Sequence, residues 1–311
     1  MPAQQTPSNE LLTVRDWLRY AVSRFNAEQL VYGHGTANAL DEAAYLILHT
    51  LHLPVDQLDP WLEARLLGSE RQAVRKIIQA RIKTRKPAPY LTHQAWIGAH
   101  AFYVDERVIV PRSLIGEILT EQLGAAAGEW HRGLNRGPVG AILDLCTGSG
   151  CLAILAALAF PQAVIEASDI SADALAVAAR NVADYHLEER IALSPSDLFE
   201  AHAGRRYDLI LANPPYVAAQ ALAAFPPEYA AEPRIAHAGG VDGLDVVRQI
   251  LAEAGAHLSP TGTLLVEVGA GRERLEAQFQ NLPFLWLDTA ESAGEVFALP
   301  ATALPSGRPL A

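Results

Sequence analysis

Residues 141–153 read Ala141-Ile-Leu-Asp144-Leu-Cys146-Thr147-Gly148-Ser149-Gly150-Cys151-Leu-Ala153. An apolar run with strand character, 141–145, enters a loop of small residues, and an apolar helix is expected directly after it, over 152–160. Small residues let a backbone come close to a ligand, and a helix N-terminus offers unpaired N–H groups to it. Downstream, strand and helix signals alternate: a strand at 163–168, a helix at 172–185, strands at 191–193 and 207–212, a helix at 241–257 and a strand at 263–268. Two short runs, 284–288 and 295–299, meet around Gly294 as a closing antiparallel pair. This alternation predicts an α/β fold, a doubly wound and mainly parallel sheet with an antiparallel last strand.

Upstream, the first hundred residues predict helices. Thr13 and Asp16 read as an N-cap with an acidic third position, and Val14, Trp17, Leu18, Ala21, Val22 and Phe25 follow at helical spacing. Leu40, Ala43, Ala44, Ile47, Leu48 and Leu51 predict a second helix. Asp59-Pro60 reads as a cap with proline at the first helical position, which predicts a third helix over 61–67. Ser69 and Gln72 read as a capping box opening a fourth, with Val74, Ile77, Ile78 and Ile82 as its stripe and Pro87 and Pro89 ending it. Aromatic and β-branched runs around Gly98 predict a β-hairpin linker over 90–110. A helix at 114–123 then leads into a glycine-rich stretch, 124–140. The expected divisions are a small helical domain (1–89), the linker (90–110), the α/β domain (111–300) and a loose tail (301–311).

The chain has 311 residues, 50% of them hydrophobic and 19% charged, with a net charge of −11. Wholesale disorder, collagen and coiled coil are excluded, and the length suits two cores. The acidity argues against a general nucleic-acid binder, which needs net Lys and Arg against phosphates. The two cysteines, Cys146 and Cys151, cannot make a disulfide framework, as a reducing compartment permits. No apolar signal core follows Arg15, and the longest apolar stretch, 152–160, falls short of the ~20 residues of a membrane span. A soluble cytoplasmic protein without membrane partners is expected. The histidines show no paired ligand spacing, so no metal is expected.

Gly148-x-Gly150-x-x-Ala153, with Asp169 further on, fits a dinucleotide fingerprint, and a ligand-free tight turn is the plainer alternative. In dinucleotide folds, however, the first glycine follows the strand directly. Here an acid, Asp144, ends the strand and the glycines come later. The loop resembles the Asp-x-Gly-x-Gly-x-Gly loop of class I S-adenosylmethionine (SAM)-dependent methyltransferases, with Cys146 replacing the first glycine. That resemblance implies SAM as cofactor, bound by Asp144, Cys146, Thr147, Gly148, Ser149 and Gly150. It implies that Asp169 accepts from the ribose hydroxyls, and that Asp197, beside Leu198, accepts from the adenine amino group. For Asp197 a helix cap is the alternative.

Asn213-Pro214-Pro215-Tyr216 follows the strand at 207–212. Two prolines fix φ and remove two donors, leaving a rigid segment rich in carbonyl acceptors. A simple turn explains the first three residues but not the aromatic at a strand's carboxyl end. The motif resembles amino-methyltransferases that modify a planar NH2 group, either adenine N6 or a glutamine amide. Such a nitrogen is a poor nucleophile, because its lone pair is delocalised. The Asn213 side-chain oxygen and the Pro214 carbonyl can each accept one N–H, aiming the nitrogen at the methyl group, while Tyr216 packs on the planar group. Catalysis is therefore assigned to Asn213, Pro214 and Tyr216, substrate binding to these and Pro215, and Asn213 also borders the cofactor.

Lys86-Pro-Ala-Pro-Tyr-Leu91, Phe102-Tyr-Val-Asp-Glu-Arg-Val-Ile-Val-Pro-Arg112, the glycine loop, Asn213-Pro-Pro-Tyr216, Glu232-Pro-Arg-Ile-Ala236 and Gly239-Gly-Val-Asp-Gly-Leu244 occur in the order of protein-glutamine N5-methyltransferases. The resemblance spans nearly the whole chain and implies that the helical domain recognises substrate. The branch acting on peptide release factors typically carries Pro-Arg-Pro and then Asp/Glu-Thr-Glu. This chain reads Pro111-Arg-Ser-Leu-Ile-Gly-Glu117, which is similar to the branch that methylates large-subunit ribosomal protein L-three. Charge agrees. Residues 61–90 hold eight basic residues and two acidic ones, net +6, and the remainder nets −17, which suits a basic protein substrate by steering. The basic stretch is either a solvated helix face or a contact with RNA carried by the substrate. The other readings are a release-factor glutamine methyltransferase, a DNA adenine-N6 methyltransferase, a non-catalytic SAM-binding or ribosome-assembly factor, and last a nicotinamide oxidoreductase. The DNA enzyme would want a basic recognition domain and a base-flipping cleft.

Overall fold

The computed structural model describes residues 10–123, 138–289 and 292–305. Its contacts divide the chain into two units. One runs to Gln94 and takes in Phe225–Ala231; the other comprises Ala95–Ala224 and the chain from Glu232 onward.

In the first unit, α1 (Val14–Ala27) starts at a true capping box. Thr13 Oγ1 accepts the Asp16 N–H, and the Asp16 carboxylate accepts the N–H groups of Thr13 and Leu12, both at 2.9 Å. Asn38 caps α2 (Ala39–Thr50) through its side-chain oxygen. The helix expected over 61–67 does not form. A single 3-10 turn, Asp59–Trp61, gives way to chain running beside the start of α1. There Ala64 O and Leu62 O accept the N–H groups of Val14 and Arg15 at 3.1 and 2.9 Å, and Leu66 donates to Leu12 O at 2.8 Å. Those carbonyls serve the orphan donors of α1's first turn, which a local helix would have kept for itself.

The next helix, α3 (Gly68–Thr84), opens on Glu70, which accepts the Leu67 N–H at 2.7 Å, and not on a Ser69–Gln72 box. It ends at Arg85, whose φ of +60° breaks the helical path. Pro87 and Pro89 then start a short helix, α4 (Ala88–Thr92), because proline is tolerated where the N–H would be unsatisfied anyway. Trp17, Phe25, Leu46, Ile47, Val74 and Ile78 form the core of this unit.

The second unit is built on a seven-stranded sheet. Its hairpin is shorter than the expected 90–110 linker: β1 (Gln94–Ile97) pairs with β2 (His100–Tyr103). The helix expected at 114–123 is α-helical only as α5 (Leu114–Glu117) and continues as π-helix through Leu123. Of the glycine-rich stretch, 124–137 lie outside the described residues. The sheet strands are β3 (Ala141–Leu145), β4 (Val164–Asp169), β5 (Ile191–Pro195), β6 (Tyr207–Ala212), β7 (Leu258–Glu267), β8 (Leu285–Leu287) and β9 (Val296–Pro300). They lie in the order β5-β4-β3-β6-β7-β9-β8. The first five are parallel; β9 is antiparallel to β7, and β8 to β9. This is the class I methyltransferase arrangement.

Helices cover both faces. On one, α6 (Cys151–Ala159) brings Leu152 and Leu155, and α7 (Ala172–Asp184) brings Val182, onto Ile142, Ile165 and Leu209. On the other, past the short helix α8 (Ala219–Ala223), Val247, Ile250 and Leu251 of α9 (Asp245–His257) and Leu275 of α10 (Arg272–Gln278) pack on Leu143, Ile210 and Leu264. The helix expected from residue 241 begins only at Asp245. Gly240 and Gly243 hold φ of +91° and +89°, which no helix accommodates. The supposedly loose tail is ordered where it is described: Ala301–Ala303 form a 3-10 turn and Leu304 is buried against the α9 face. Residues 306–311 lie outside the described residues.

Candidate functional site

Parallel register aligns the carboxyl ends of five strands. Leu145 of β3 is paired with Ser168 of β4 and Ala212 of β6, Asp169 with Pro195 of β5, and Ala212 with Val266 of β7. The next residues along this edge are Cys146, Asp169, Ser196, Asn213 and Glu267. The chain order reverses between β3 and β6, the crevice where open α/β sheets bind ligands.

The glycine loop is anchored from below. Asp144 is fully buried; its Oδ2 accepts the Thr147 hydroxyl at 2.5 Å and the Ala153 N–H at 3.1 Å. Burial pushes the Asp144 carboxyl up to about 7, and its Oδ1 has no hydrogen-bond partner among the described residues. The loop turns through three left-handed positions, Cys146 (φ +56°), Gly148 (+56°) and Gly150 (+79°). Cys146 thus holds a conformation that glycine adopts freely and a side chain does not. Burial, then the charge of Asp169, raises its thiol. Ser149 O accepts from the Asn181 side chain at 2.8 Å, and the same amide donates to Tyr103 O and accepts the Tyr103 N–H, tying the loop to β2.

Asp169 is half-buried. It accepts the Gly148 N–H and the Ser171 N–H, both at 2.9 Å, and burial raises its carboxyl. Asp197 is exposed, and among the described residues its carboxylate caps no helix; only its backbone O accepts, from Glu200. Leu198 follows at φ +46°, and its O accepts the Ser196 hydroxyl at 2.8 Å.

Asn213 and Pro214 come directly off β6. Among the described residues, neither the Asn213 side chain nor the Pro214 carbonyl has a hydrogen-bond partner, although the flanking backbone is tied down. Val217 N–H donates to His237 O, Gly239 N–H to Val217 O, and Ala219 N–H to Gly240 O. The Tyr216 hydroxyl donates to Glu267 Oε1 at 3.0 Å, and burial together with the Glu267 charge raises the phenol. The Gly239–Leu244 segment is moulded onto this backbone: a Cβ at Gly239 would lie 2.8 Å from Pro215 O, and one at Gly243 would lie 2.4 Å from Tyr216 O.

Residues 132–225 match the family model described as the methyltransferase small domain. The chain is 53% identical over 296 residues to the ribosomal protein uL3 glutamine methyltransferase of Bordetella pertussis, covering 95% of this chain and 97% of that protein. The protein of the same name from Neisseria gonorrhoeae is 54% identical over 94% of this chain and 95% of its own length. The one from Burkholderia pseudomallei is 52% identical over 94% and 96%. The chain belongs to the ribosomal protein uL3 glutamine methyltransferase family.

In this member of the family, several residues at the site carry no motif signal. Glu267 is 3% exposed beside Asn213, and Asn181 is 1% exposed under the loop. Ile170, after Asp169, is 58% exposed, an apolar side chain open at the strand edge. The Pro111–Glu117 segment is held by two buried carboxylates. Glu232 takes the Arg112 guanidinium as a fork at 2.7 and 2.8 Å and the Val110 N–H at 2.9 Å; Glu267 takes the Ser113 hydroxyl at 2.6 Å. Among the described residues, no group of three His, Cys, Asp or Glu could hold a metal, and no helix is long and apolar enough to cross a membrane.

Proposed function

We propose that this protein transfers the methyl group of SAM to the side-chain amide nitrogen of a glutamine in ribosomal protein uL3, in the cytoplasm. The observation that carries the reading is the pair of acceptors with no partner among the described residues, Asn213 Oδ1 and the Pro214 carbonyl, on a rigid segment at the reversal point of the sheet.

The loop fits SAM. Asp144 Oδ1 is a buried acceptor with no donor among the described residues, α6 starts directly after the loop, and Asp169 stands where a ribose diol would meet a carboxylate. Asp144, Cys146, Thr147, Gly148, Ser149, Gly150, Asp169, Asp197, Leu198 and Asn213 would hold it, and Ile170 would add an apolar surface for the adenine. Bound there, SAM supplies a methyl group on a sulfonium.

The chain's own residues do the rest. Asn213 and Pro214 each accept one N–H of the target amide, which fixes the plane of the group and leaves its lone-pair face toward the methyl. Both acceptors gain strength as positive charge grows on the nitrogen, so they favour the transition state over the ground state. Tyr216 packs on the amide plane and excludes water. No general base is needed, because a methylated amide cation is a strong acid and gives its proton to water.

The acidic body, net −17 outside residues 61–90, steers a basic ribosomal protein toward the site. The basic stretch contributes less to any RNA carried by the substrate than its count suggests, because Arg81 and Arg85 are paired with Glu42 and Glu228. Incubation with methyl-labelled SAM and, in separate reactions, uL3, peptide release factors and DNA tests the assignment. Label on a glutamine of uL3 supports it; label only on release factors or on DNA adenine replaces it with one of the alternatives.

A further inference from the structure

Glu267 closes β7 one residue past the Ala212–Val266 pair, next to Asn213. It is almost wholly buried, and an unpaired carboxylate at that depth carries a heavy desolvation penalty. Three donors from two stretches of chain converge on it. The Tyr216 hydroxyl reaches Oε1 at 3.0 Å, and the Ser113 hydroxyl and the Leu114 N–H reach Oε2 at 2.6 and 2.9 Å. The Tyr216 ring is confined on another side by Gly269, where a Cβ would come within 2.8 Å of Cε2. The ring therefore has a fixed hydroxyl end and a fixed plane. The sheet itself has no need of a carboxylate at this place, since its neighbours on β7, Leu264, Leu265 and Val266, are apolar and fully buried.

We infer that Glu267 is a positioning residue for methyl transfer, acting through Tyr216: it holds the phenol by its hydroxyl, and the hydrogen bond it accepts enriches the π-face that the ring presents to the glutamine amide. Positive charge over an aromatic face is stabilised, and more so where water is excluded. Charge appears on the amide nitrogen only as the methyl arrives, so the effect belongs to kcat and not to binding. The inference rests on the proposal that Tyr216 packs on the amide.

Steady-state methylation of uL3 by the full chain tests it. Glu267→Gln should lower kcat about tenfold while the KM for uL3 and the Kd for SAM stay within about twofold. Tyr216→Phe should show a similar loss, and the double variant should be no slower than Tyr216→Phe, because both changes remove one interaction. Multiplying losses, or an unchanged kcat in Glu267→Gln, overturn the inference. If Glu267→Gln does not fold, Tyr216→Phe still decides, since an undiminished kcat there overturns it. Tyr216→Ala separates the two levels. Full activity in that variant rejects the packing of Tyr216 on the amide, whereas an inactive Tyr216→Ala beside a fully active Tyr216→Phe rejects the role of Glu267 alone.

Discussion

Arg81 Nε lies 2.7 Å from Glu42 Oε1, and neither side chain is more than 2% exposed. The same guanidinium faces Glu228 at 3.5 Å and donates to Val31 O at 2.9 Å. Glu228 belongs to Phe225–Ala231, a segment that follows Asn213-Pro-Pro-Tyr216 in the chain yet counts with the helical unit. Burial works against the Glu228 carboxylate, but the Val31 N–H with Arg85 and Arg81 outweighs it and holds the group below its ordinary value. Removing the cation would break the ion pair of the buried Glu42 carboxylate, while Glu228 would keep Arg85 and the Val31 N–H. Arg81→Met should therefore destabilise the protein by about 3–5 kcal/mol, read as a lower urea midpoint for the helical unit.

The rest of the basic stretch is expected to be a solvated face. Neutralising Arg71, Arg75 and Lys76 together should leave the rate of uL3 methylation and its salt dependence unchanged. A large loss confined to RNA-bound substrate would instead assign that face to RNA.

Asp144 makes stability depend on pH in the absence of SAM. Its carboxyl titrates at about 7 in the fold against 3.8 unfolded, so the folded state binds more protons between those values. Its contribution to stability is complete below pH ~4, declines as pH rises and is flat above pH ~7. Asp144→Asn should remove that decline, as measured by denaturation across this range. An unchanged slope in the variant would place the titrating group elsewhere.

Gly243 shapes the backbone of the proposed substrate clamp. Its φ is +89° and a Cβ would press on Tyr216 O, so Gly243→Ala must shift the backbone of the Pro215-Tyr216 segment. The expected result is a loss of kcat of more than tenfold with SAM affinity within about threefold, because the glycine loop lies on other strands. Equal losses in both would mean that the two halves of the site are not separable.

These particulars show what the sequence could and could not disclose. Strand, loop and helix at 141–153 were readable because an apolar run, a loop of small residues and a second apolar run stand next to one another in the chain, and the chain order of β3 to β9 followed from the alternation of buried runs. The helix expected over 61–67 failed because the carbonyls of Leu62 and Ala64 are claimed by α1, a partner some 50 residues away that no local pattern reveals. Likewise Arg81 sits in a run of cations at helical spacing, and only Glu42 and Glu228, distant in sequence, turn it inward. The Gly239–Leu244 motif was visible, but its fit against Pro215 and Tyr216 was not, and so a helix was expected four residues too early. Glu267 has no signature at all; a single acid ending an apolar strand acquires meaning only when Tyr216 and Ser113 are brought to it.

The amide clamp is tested most directly by Asn213→Ala, assayed for SAM affinity by calorimetry and for methyl transfer to uL3 by mass spectrometry of the modified glutamine. The proposed mechanism predicts a Kd for SAM within a few-fold of wild type and no detectable methylglutamine. Full methylation by that variant would contradict it.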